Sequence, residues 1–369
     1  MRTINKSLSL AILLILGLIS YSVYCERINL RPYLIDPPKS DADKLFMQFV
    51  SDFNKQYTSS TEYNFRREIF KRNLQIFNSQ KKPTSDSYTI GPNFFADQTP
   101  AEISSRFKYT SRQTLQSNGD EQSYKIYENV ARPASKDWRD LKAVSPVKNQ
   151  GYCGSNWAYA GASALESSYF VITRKDPLPI LSAQQLTDCL PTDKTNGCGA
   201  FQNVDDVFTY ATTSKVQLES DYPSTGVSTG KCNADLTKGV VQSTYQKFVT
   251  PNNQEQLLQA ILENPVLAEV NADLEFVFYN SGILDSDVCN APVIQPVLIV
   301  GYGTDADTKV TYYIVKNSWG ESWGEKGYAR IASKPGVGVC GIHSRPSFYI
   351  VNSQSVQESN PSSQIDYSL

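Results

Sequence analysis

The sequence predicts an α+β protein whose helices and strands occupy different parts of the chain. Runs with helical spacing of apolar residues dominate up to about residue 213, and strand-like runs dominate after Gln242. A third observation is a tight turn, rich in glycine, that leads into a long run of helix formers from Trp157. Such segregation favours two lobes, and a cleft between lobes is where ligands usually bind.

Length and composition narrow the function classes. A chain of 369 residues holds one large domain or two ordinary ones. Hydrophobic content is 40% and charged content is 20%, as in a soluble globular protein. A net charge of −2 without any basic block argues against nucleic-acid binding. We expect no cofactor and no metal.

The N-terminus has the pattern of a secretory signal, which we assign to residues 1–25. Arg2 and Lys6 precede an apolar run of about a dozen residues, and small side chains precede a cleavage site before Glu26. The alternative is an uncleaved anchor, but the run is shorter than the roughly 20 residues that span a bilayer. The pattern therefore predicts the secretory pathway, with no membrane contact after signal removal. The destination is extracellular or a lysosome or vacuole.

Six of the seven cysteines remain after removal of the signal, which contains Cys25. An even number of cysteines in a secreted chain predicts disulfides. Spacing alone leaves 15 connectivities open.

A small helical domain is predicted ahead of the main one. Helical patterns cover 43–57 and 62–80, an extended run covers 88–97, and Thr99 begins a short helix with proline first and an acid third. Residues 105–128 have the Ser, Thr, Gln and Lys content of a linker.

The main domain is expected at 129–351, followed by a disordered tail at 352–369. Its central helix runs from Trp157 to about Ile172, and a capping box at Ser182 begins a helix that ends near Cys189. Another helix covers 201–213. The remaining predicted elements are a helix at Asn253–Glu263 and strands at Val266–Val270, Val297–Val300, Tyr312–Lys316, Tyr328–Ala332 and Phe348–Val351.

Two sets of motifs resemble the papain/cathepsin family of cysteine peptidases. Residues 150–158, Gln-Gly-Tyr-Cys-Gly-Ser-Asn-Trp-Ala, resemble the active-site segment, and 313–320, Tyr-Ile-Val-Lys-Asn-Ser-Trp-Gly, resemble the segment with the orienting asparagine. Residues 91–97, Gly-x-Asn-x-Phe-x-Asp, match a signature of the family's proregions. The interspersed proregion signature is matched at Glu62, Arg66, Phe70 and Asn73.

This resemblance covers about 43–350 and implies a papain-like two-lobe fold, with a helical lobe and a β-barrel-like lobe. A small helical propeptide domain precedes it, at 26–128 with a core at about 43–104. The resemblance also implies that the chain's own propeptide lies in the cleft, in the reverse sense to a substrate. The disulfides that it implies are Cys153–Cys198, Cys189–Cys232 and Cys289–Cys340.

The family's catalytic roles map only in part onto this chain. The resemblance gives Gln150 the oxyanion role, Asn317 the role of orienting amide, and Trp319 the role of its shield. Asn156 stands at the nucleophile position and Gln295 at the histidine position. A carboxamide is not a nucleophile, and glutamine has no titration near neutral pH, so neither can do the original chemistry.

No other residue is expected to replace this pair. Ser155 belongs to the turn and lacks a base, and His343, the one histidine of the sequence, lies outside the catalytic strand. Asn156 is instead expected to cap the central helix. Gln295 is expected to hydrogen-bond to Asn156 or to Asn317.

The cleft is expected to be narrowed. Pro296 follows Gln295 and removes a strand donor. Relatives have Asn-Gly-Gly where this chain has Gly199, Ala200 and Phe201, so that Phe201 places a ring where a substrate backbone must approach.

The leading hypothesis is therefore a secreted pseudopeptidase with a binding, decoy or structural role. Its partners would be its own propeptide and a protein or peptide ligand. One alternative is an active cysteine endopeptidase that hydrolyses peptide bonds. Another is a carbohydrate- or protein-binding module that uses the old cleft.

Overall fold

The computed structural model describes residues 40–79, 87–106, 124–128, 130–190, 197–198, 204–287, 289, 294–343 and 348–351. The predicted signal, most of the linker, the tail and the cleft residues Gly199, Ala200 and Phe201 lie outside these ranges. Within them, no helix is long and apolar enough to cross a membrane. Contacts divide the chain into two units, residues 1–74 and 75–369.

The first unit contains helix α1, Asp41–Asp52, and most of helix α2, Ser60–Ser79. Aromatic rings join the two helices, since Phe46 lies 5.4 Å from Phe70 and 5.2 Å from Tyr63 between ring centroids. Helix α1 was predicted to reach residue 57. It ends earlier because the chain turns after Phe53, with Asn54 at a φ of 45°.

The second unit begins with the end of α2, followed by strand β1, Tyr88–Ile90, and helix α3, Pro100–Arg106. The predicted start of α3 is confirmed: Glu102 N donates to Thr99 Oγ1 at 3.2 Å, and Thr99 N donates to Glu102 Oε2 at 2.8 Å. The extended run predicted for 88–97 is correct only for β1, because residues 94–97 form a turn.

The helical part of the main domain follows two short strands, β2, Tyr124–Lys125, and β3, Lys136–Asp137. Helix α4 is Asn156–Thr173, α5 is Ala183–Cys189 and α6 is Val204–Thr213. A Cβ on Gly161 of α4 would lie 2.7 Å from the Val207 side chain, so glycine permits the close packing of α4 on α6.

The strand-rich part follows Gln242 as predicted, although the strands at Tyr245–Val249 and Tyr279–Leu284 were not themselves predicted. It contains helices α7, Gln254–Glu263, and α8, Leu274–Val277. Its strands are β4, Tyr245–Val249; β5, Val266–Asn271; β6, Tyr279–Leu284; β7, Ile294–Thr304; β8, Thr311–Lys316; β9, Tyr328–Ala332; and β10, Phe348–Val351.

One sheet contains all ten strands of the described residues, in the order β1-β6-β9-β8-β7-β5-β10-β4-β2, with β3 paired to β7. Strand β7 is central and is buried at every residue from Ile294 to Gly303. The core lies where α4 packs on the sheet, with Trp157 and Leu165 of α4 in the same buried cluster as Leu298 and Val300 of β7. This packing brings the N-terminus of α4 to strand β7.

Proregion strand β1 depends on a glycine in β6. Tyr88 is paired with Gly282, which has a φ of 95°, and a Cβ there would lie 2.3 Å from Ser87 O. We predict that Gly282→Ala weakens the docking of β1 by roughly 1–3 kcal/mol, because both the backbone strain and the clash oppose it. Hydrogen–deuterium exchange of residues 87–93 measures this change.

Gly226→Ala is the matched control, since Gly226 has a φ of 72° but no atom within 4 Å of its Cβ position. It carries the strain without the clash and should leave exchange at 87–93 unchanged. Equal exchange in both variants would contradict the prediction.

Candidate functional site

The turn before α4 places Asn156 at the start of that helix. The disulfide Cys153–Cys198 cross-links the turn, and Gly151 adopts a φ of 61°. The prediction that Asn156 is the N-cap is wrong. Ser155 holds the cap position, without a side-chain bond, and Asn156 is the first helical residue. Its Oδ1 accepts from the N–H of Trp157 at 2.9 Å, which still satisfies one of the free donors of the helix end.

Asn156 and Gln295 contact each other across the two lobes. Asn156 Nδ2 donates to Gln295 Oε1 at 3.0 Å, and Gln295 Nε2 donates to Asn317 Oδ1 at 2.9 Å. The expected hydrogen bonds of Gln295 are therefore both present. The side chains of Asn156, Gln295 and Asn317 therefore come together, and each of the three is a neutral amide.

A serine that the sequence analysis did not single out extends these contacts. Ser318 Oγ donates to Gln150 Oε1 at 2.7 Å and lies 3.3 Å from Gln295 Nε2. Gln150 Nε2 donates to the carbonyl of Cys153 at 2.9 Å. We call Gln150, Asn156, Gln295, Asn317 and Ser318 the amide network. The position of Ser318 directly after Asn317 in the sequence is the signal that could have predicted these contacts.

The amide network is almost fully buried: Gln295 is 0% exposed, and Asn156 and Gln150 are each 1% exposed. Trp319, which follows Ser318 in the chain, is 3% exposed, and its ring lies 5.0 Å from Phe95 and 5.7 Å from Phe276. Neutral amides cost far less to bury than a charged pair would, even though Asn317 Nδ2 has no hydrogen-bond partner within the described residues.

Lys316, the residue before Asn317, is the nearest ionisable group along the chain. Its Nζ donates to Ser145 Oγ at 2.7 Å, and Ser145 in turn donates to Glu166. Complete burial lowers the pKa of Lys316 to about 7. Glu166 Oε1 also accepts from Lys148 Nζ at 2.7 Å. The carboxylate therefore bonds to Lys148 directly and to Lys316 through Ser145. These groups form hydrogen bonds among themselves and none to the amide network within the described residues.

His343 is buried and has two polar contacts. Its Nε2 lies 2.8 Å from the Tyr313 hydroxyl and its Nδ1 lies 3.0 Å from the Gly336 carbonyl oxygen. Burial lowers the pKa of His343, which keeps the ring neutral.

Three disulfides hold the main domain, in the pairing that the family resemblance implies: Cys153–Cys198, Cys189–Cys232 and Cys289–Cys340. Of the residues expected to narrow the cleft, Pro296 lies in β7 opposite Glu269 of β5. The predicted filling of the cleft by Phe201 falls outside the described residues.

The proregion signature contacts the main domain close to Trp319. Asn93 Nδ2 donates to Val277 O at 2.7 Å, and Phe95 is 2% exposed against the Trp319 ring. Phe94 lies 5.2 Å from Tyr152 of the turn. The signature residues therefore join α8 and the turn before α4.

Comparison with known proteins agrees with this architecture. Residues 132–350 match the family described as papain family cysteine protease, and 46–103 match the cathepsin propeptide inhibitor domain. The chain is 32% identical to fruit bromelain of Ananas comosus over 85% of its length and 88% of the relative's. It is 35% identical to a cathepsin L-like proteinase of Fasciola hepatica, over 84% and 94%.

Solved proforms have the same fold. Digestive procathepsin L 3 of Tenebrio molitor superposes with a TM-score of 0.73 at 30% identity, covering 85% of this chain and all of that one. A recombinant stem bromelain precursor gives a TM-score of 0.75 at 30% identity, with the same coverage. The chain therefore belongs to the papain family of cysteine peptidases and carries that family's propeptide inhibitor domain.

Proposed function

We propose that this chain is a pseudopeptidase of the papain family, with a binding, decoy or structural role in place of hydrolysis. The observation that carries the proposal is the 3.0 Å hydrogen bond between Asn156 and Gln295. It joins the two positions where relatives need a thiolate and a proton acceptor.

The remaining groups give no substitute for that pair. The lone pair of an amide nitrogen is delocalised into the carbonyl group, so the side chain of Asn156 cannot attack a peptide bond. Gln295 cannot accept a proton at neutral pH. The oxyanion role requires Gln150 Nε2 as a donor, and this nitrogen already donates a hydrogen bond to Cys153 O at 2.9 Å.

Three further statements belong to this proposal. The chain enters the secretory pathway, which the three disulfides support, and it resides outside the cell or in a lysosome or vacuole. Its propeptide occupies the cleft and is not removed by self-processing; another peptidase removes it where removal occurs. The division into signal, propeptide, main domain and tail at residues 25, 128 and 351 is part of the same proposal.

The test is peptidase activity after the proregion is released. The full chain is cut with a serine peptidase between residues 107 and 123, the added enzyme is blocked, and fluorogenic peptides are supplied. We expect no hydrolysis above the blank and no labelling by a thiol-directed epoxide. Hydrolysis that Asn317→Ala abolishes would refute the proposal.

The matched positive control is Asn156→Cys combined with Gln295→His, treated in the same way. Labelling of this variant by the epoxide shows that the assay detects a thiolate in this cleft. Should the folded variant stay silent, adding Phe201→Gly tests whether the cleft has been remodelled as well.

A further inference from the structure

The chain that leads from the predicted linker into the main domain is bound to strand β4 and helix α7. We call residues 124–128 and 130–132 the N-terminal strap. Its strand β2 pairs in parallel with β4, with Tyr124 opposite Phe248 and Lys125 opposite Val249. Because β2 is the last strand in the order of the sheet, it covers the hydrogen-bonding edge of β4. The N-terminal strap therefore completes the sheet.

Helix α7 binds the backbone of the N-terminal strap on both sides of one buried residue. Gln256 Oε1 accepts the N–H of Tyr127 at 2.7 Å, and Gln256 Nε2 donates to Tyr127 O at 2.8 Å. Tyr127 is 6% exposed, whereas Ile126 before it is 81% exposed. One side-chain amide thus satisfies both backbone polar groups of a buried residue, as a neighbouring strand would.

Two further side chains of α7 hold the N-terminal strap closer to the main domain. Gln259 Nε2 donates to Val130 O at 2.9 Å. Glu255 accepts two hydrogen bonds from Arg132, from Nε to Oε1 and from Nη2 to Oε2, both at 2.9 Å. Such bidentate pairs are among the stronger polar contacts of proteins. Helix α7 therefore holds the strap at three points.

A peptidase binds its substrate as an exposed, extended chain, so peptide bonds that are buried and hydrogen-bonded are cut only after they open locally. Loss of the N-terminal strap would also open the edge of β4 and take the backbone partners from Gln256. The main domain thus protects the strap from cleavage and is itself completed by it.

We propose that the cut that releases the propeptide falls N-terminal to Tyr124, so that the mature chain keeps the N-terminal strap as its first strand. The boundary at residue 128 then marks a change of sequence pattern and not the site of the cut. This inference rests on the processing by another peptidase proposed above, and it names where that peptidase acts.

Trypsin is the probe, because the N-terminal strap contains the Lys125–Ile126 bond and the predicted linker contains Arg112. The full chain is digested for increasing times, and intact-mass spectrometry identifies the N-terminus of the fragment with the main domain. We expect fragments that begin at Ile126 to form at least about tenfold more slowly than fragments that begin at Gln113. Equal rates of cleavage at the two bonds would overturn the proposal.

Gln256→Leu removes both hydrogen bonds to Tyr127 and should accelerate cleavage after Lys125 about tenfold, since the open strap is then populated more. Gln254→Leu is the matched control on the same helix, because Gln254 Nε2 donates to Ser333 O at 3.0 Å and not to the strap. It should leave this cleavage unchanged. Equal acceleration in both variants would overturn the role of α7.

Arg132→Gln gives the same readout should Gln256→Leu lose its native circular dichroism, because it breaks the bidentate pair with Glu255. N-terminal sequencing of protein from the natural source is the second measurement. The mature chain should begin at Tyr124 or upstream of it, and an N-terminus downstream of Tyr124 would overturn the proposal. That failure is distinct from failure of the pseudopeptidase proposal, which the hydrolysis assay tests.

Discussion

Replacement of Gln295 by leucine should lower the free energy of unfolding by about 2–4 kcal/mol, since a buried group that loses its better hydrogen bond costs about 1–2 kcal/mol. The side chain is 0% exposed and holds Asn156 Nδ2 and Asn317 Oδ1. Leucine has a similar volume but offers neither donor nor acceptor, so both partners lose a hydrogen bond while they stay buried. Asn317 Oδ1 then keeps only the N–H of Ser318 at 2.8 Å, and Asn156 Nδ2 keeps only the carbonyl of Ile294 at 3.5 Å. Urea denaturation followed by circular dichroism measures the change.

A double-mutant cycle separates the network from simple loss of packing. Asn156→Leu combined with Gln295→Leu removes both partners of the 3.0 Å hydrogen bond. The double variant should therefore be at least about 1 kcal/mol more stable than the sum of the single effects predicts. Additive costs would show that the two amides do not stabilise each other.

Gln242→Leu is the control for the glutamine change itself. Gln242 is only partly buried, and its Nε2 donates to Thr212 O at 2.9 Å. Its loss exposes the partner to water and should cost less than about 1 kcal/mol. An equal loss of unfolding free energy in Gln242→Leu and Gln295→Leu would mean that burial of the network does not add to its stabilising effect.

Replacement of Lys316 by methionine should stabilise the protein most at pH 7 and below. Burial lowers the pKa of Lys316 in the folded state to about 7, whereas the unfolded chain keeps the ordinary value near 10.5. Between these values the unfolded state binds more protons, so the wild-type protein gains stability as pH rises. Below pH 7 both states are protonated, and the full cost of the buried charge applies.

The two proteins are compared by urea denaturation at pH 7, 8 and 9. The stability advantage of Lys316→Met should shrink by about 2 kcal/mol over this range, since the slope approaches about 1.4 kcal/mol per pH unit for one proton. Lys231→Met, at an exposed lysine, should show no such trend. A pH-independent difference for Lys316→Met would mean that the amine stays charged in the folded protein.

The sequence was sufficient to predict the structure wherever the contacts that fix it are local. The capping pair Thr99 and Glu102 lies three residues apart, and the structure has both of its hydrogen bonds. The spacing of apolar residues placed the helices because burial follows a helical period. The motifs around Asn156 and Gln295 were enough to predict that these two residues belong to one site. The end of α1 was misplaced because only a change of backbone direction ends it.

The sequence by itself determined that this chain has a papain-like fold, and its motifs carry the proposal that Asn156 and Gln295 stand in place of the family's nucleophile and base. Tertiary structure alone decided what these two residues do. Asn156 and Gln295 are 139 residues apart, so their hydrogen bond exists only because α4 packs on β7. The part of Ser318 in the network, through its 2.7 Å hydrogen bond to Gln150, has the same origin. Such contacts leave no period or spacing in a sequence, because folding, and not chain connectivity, brings the side chains together.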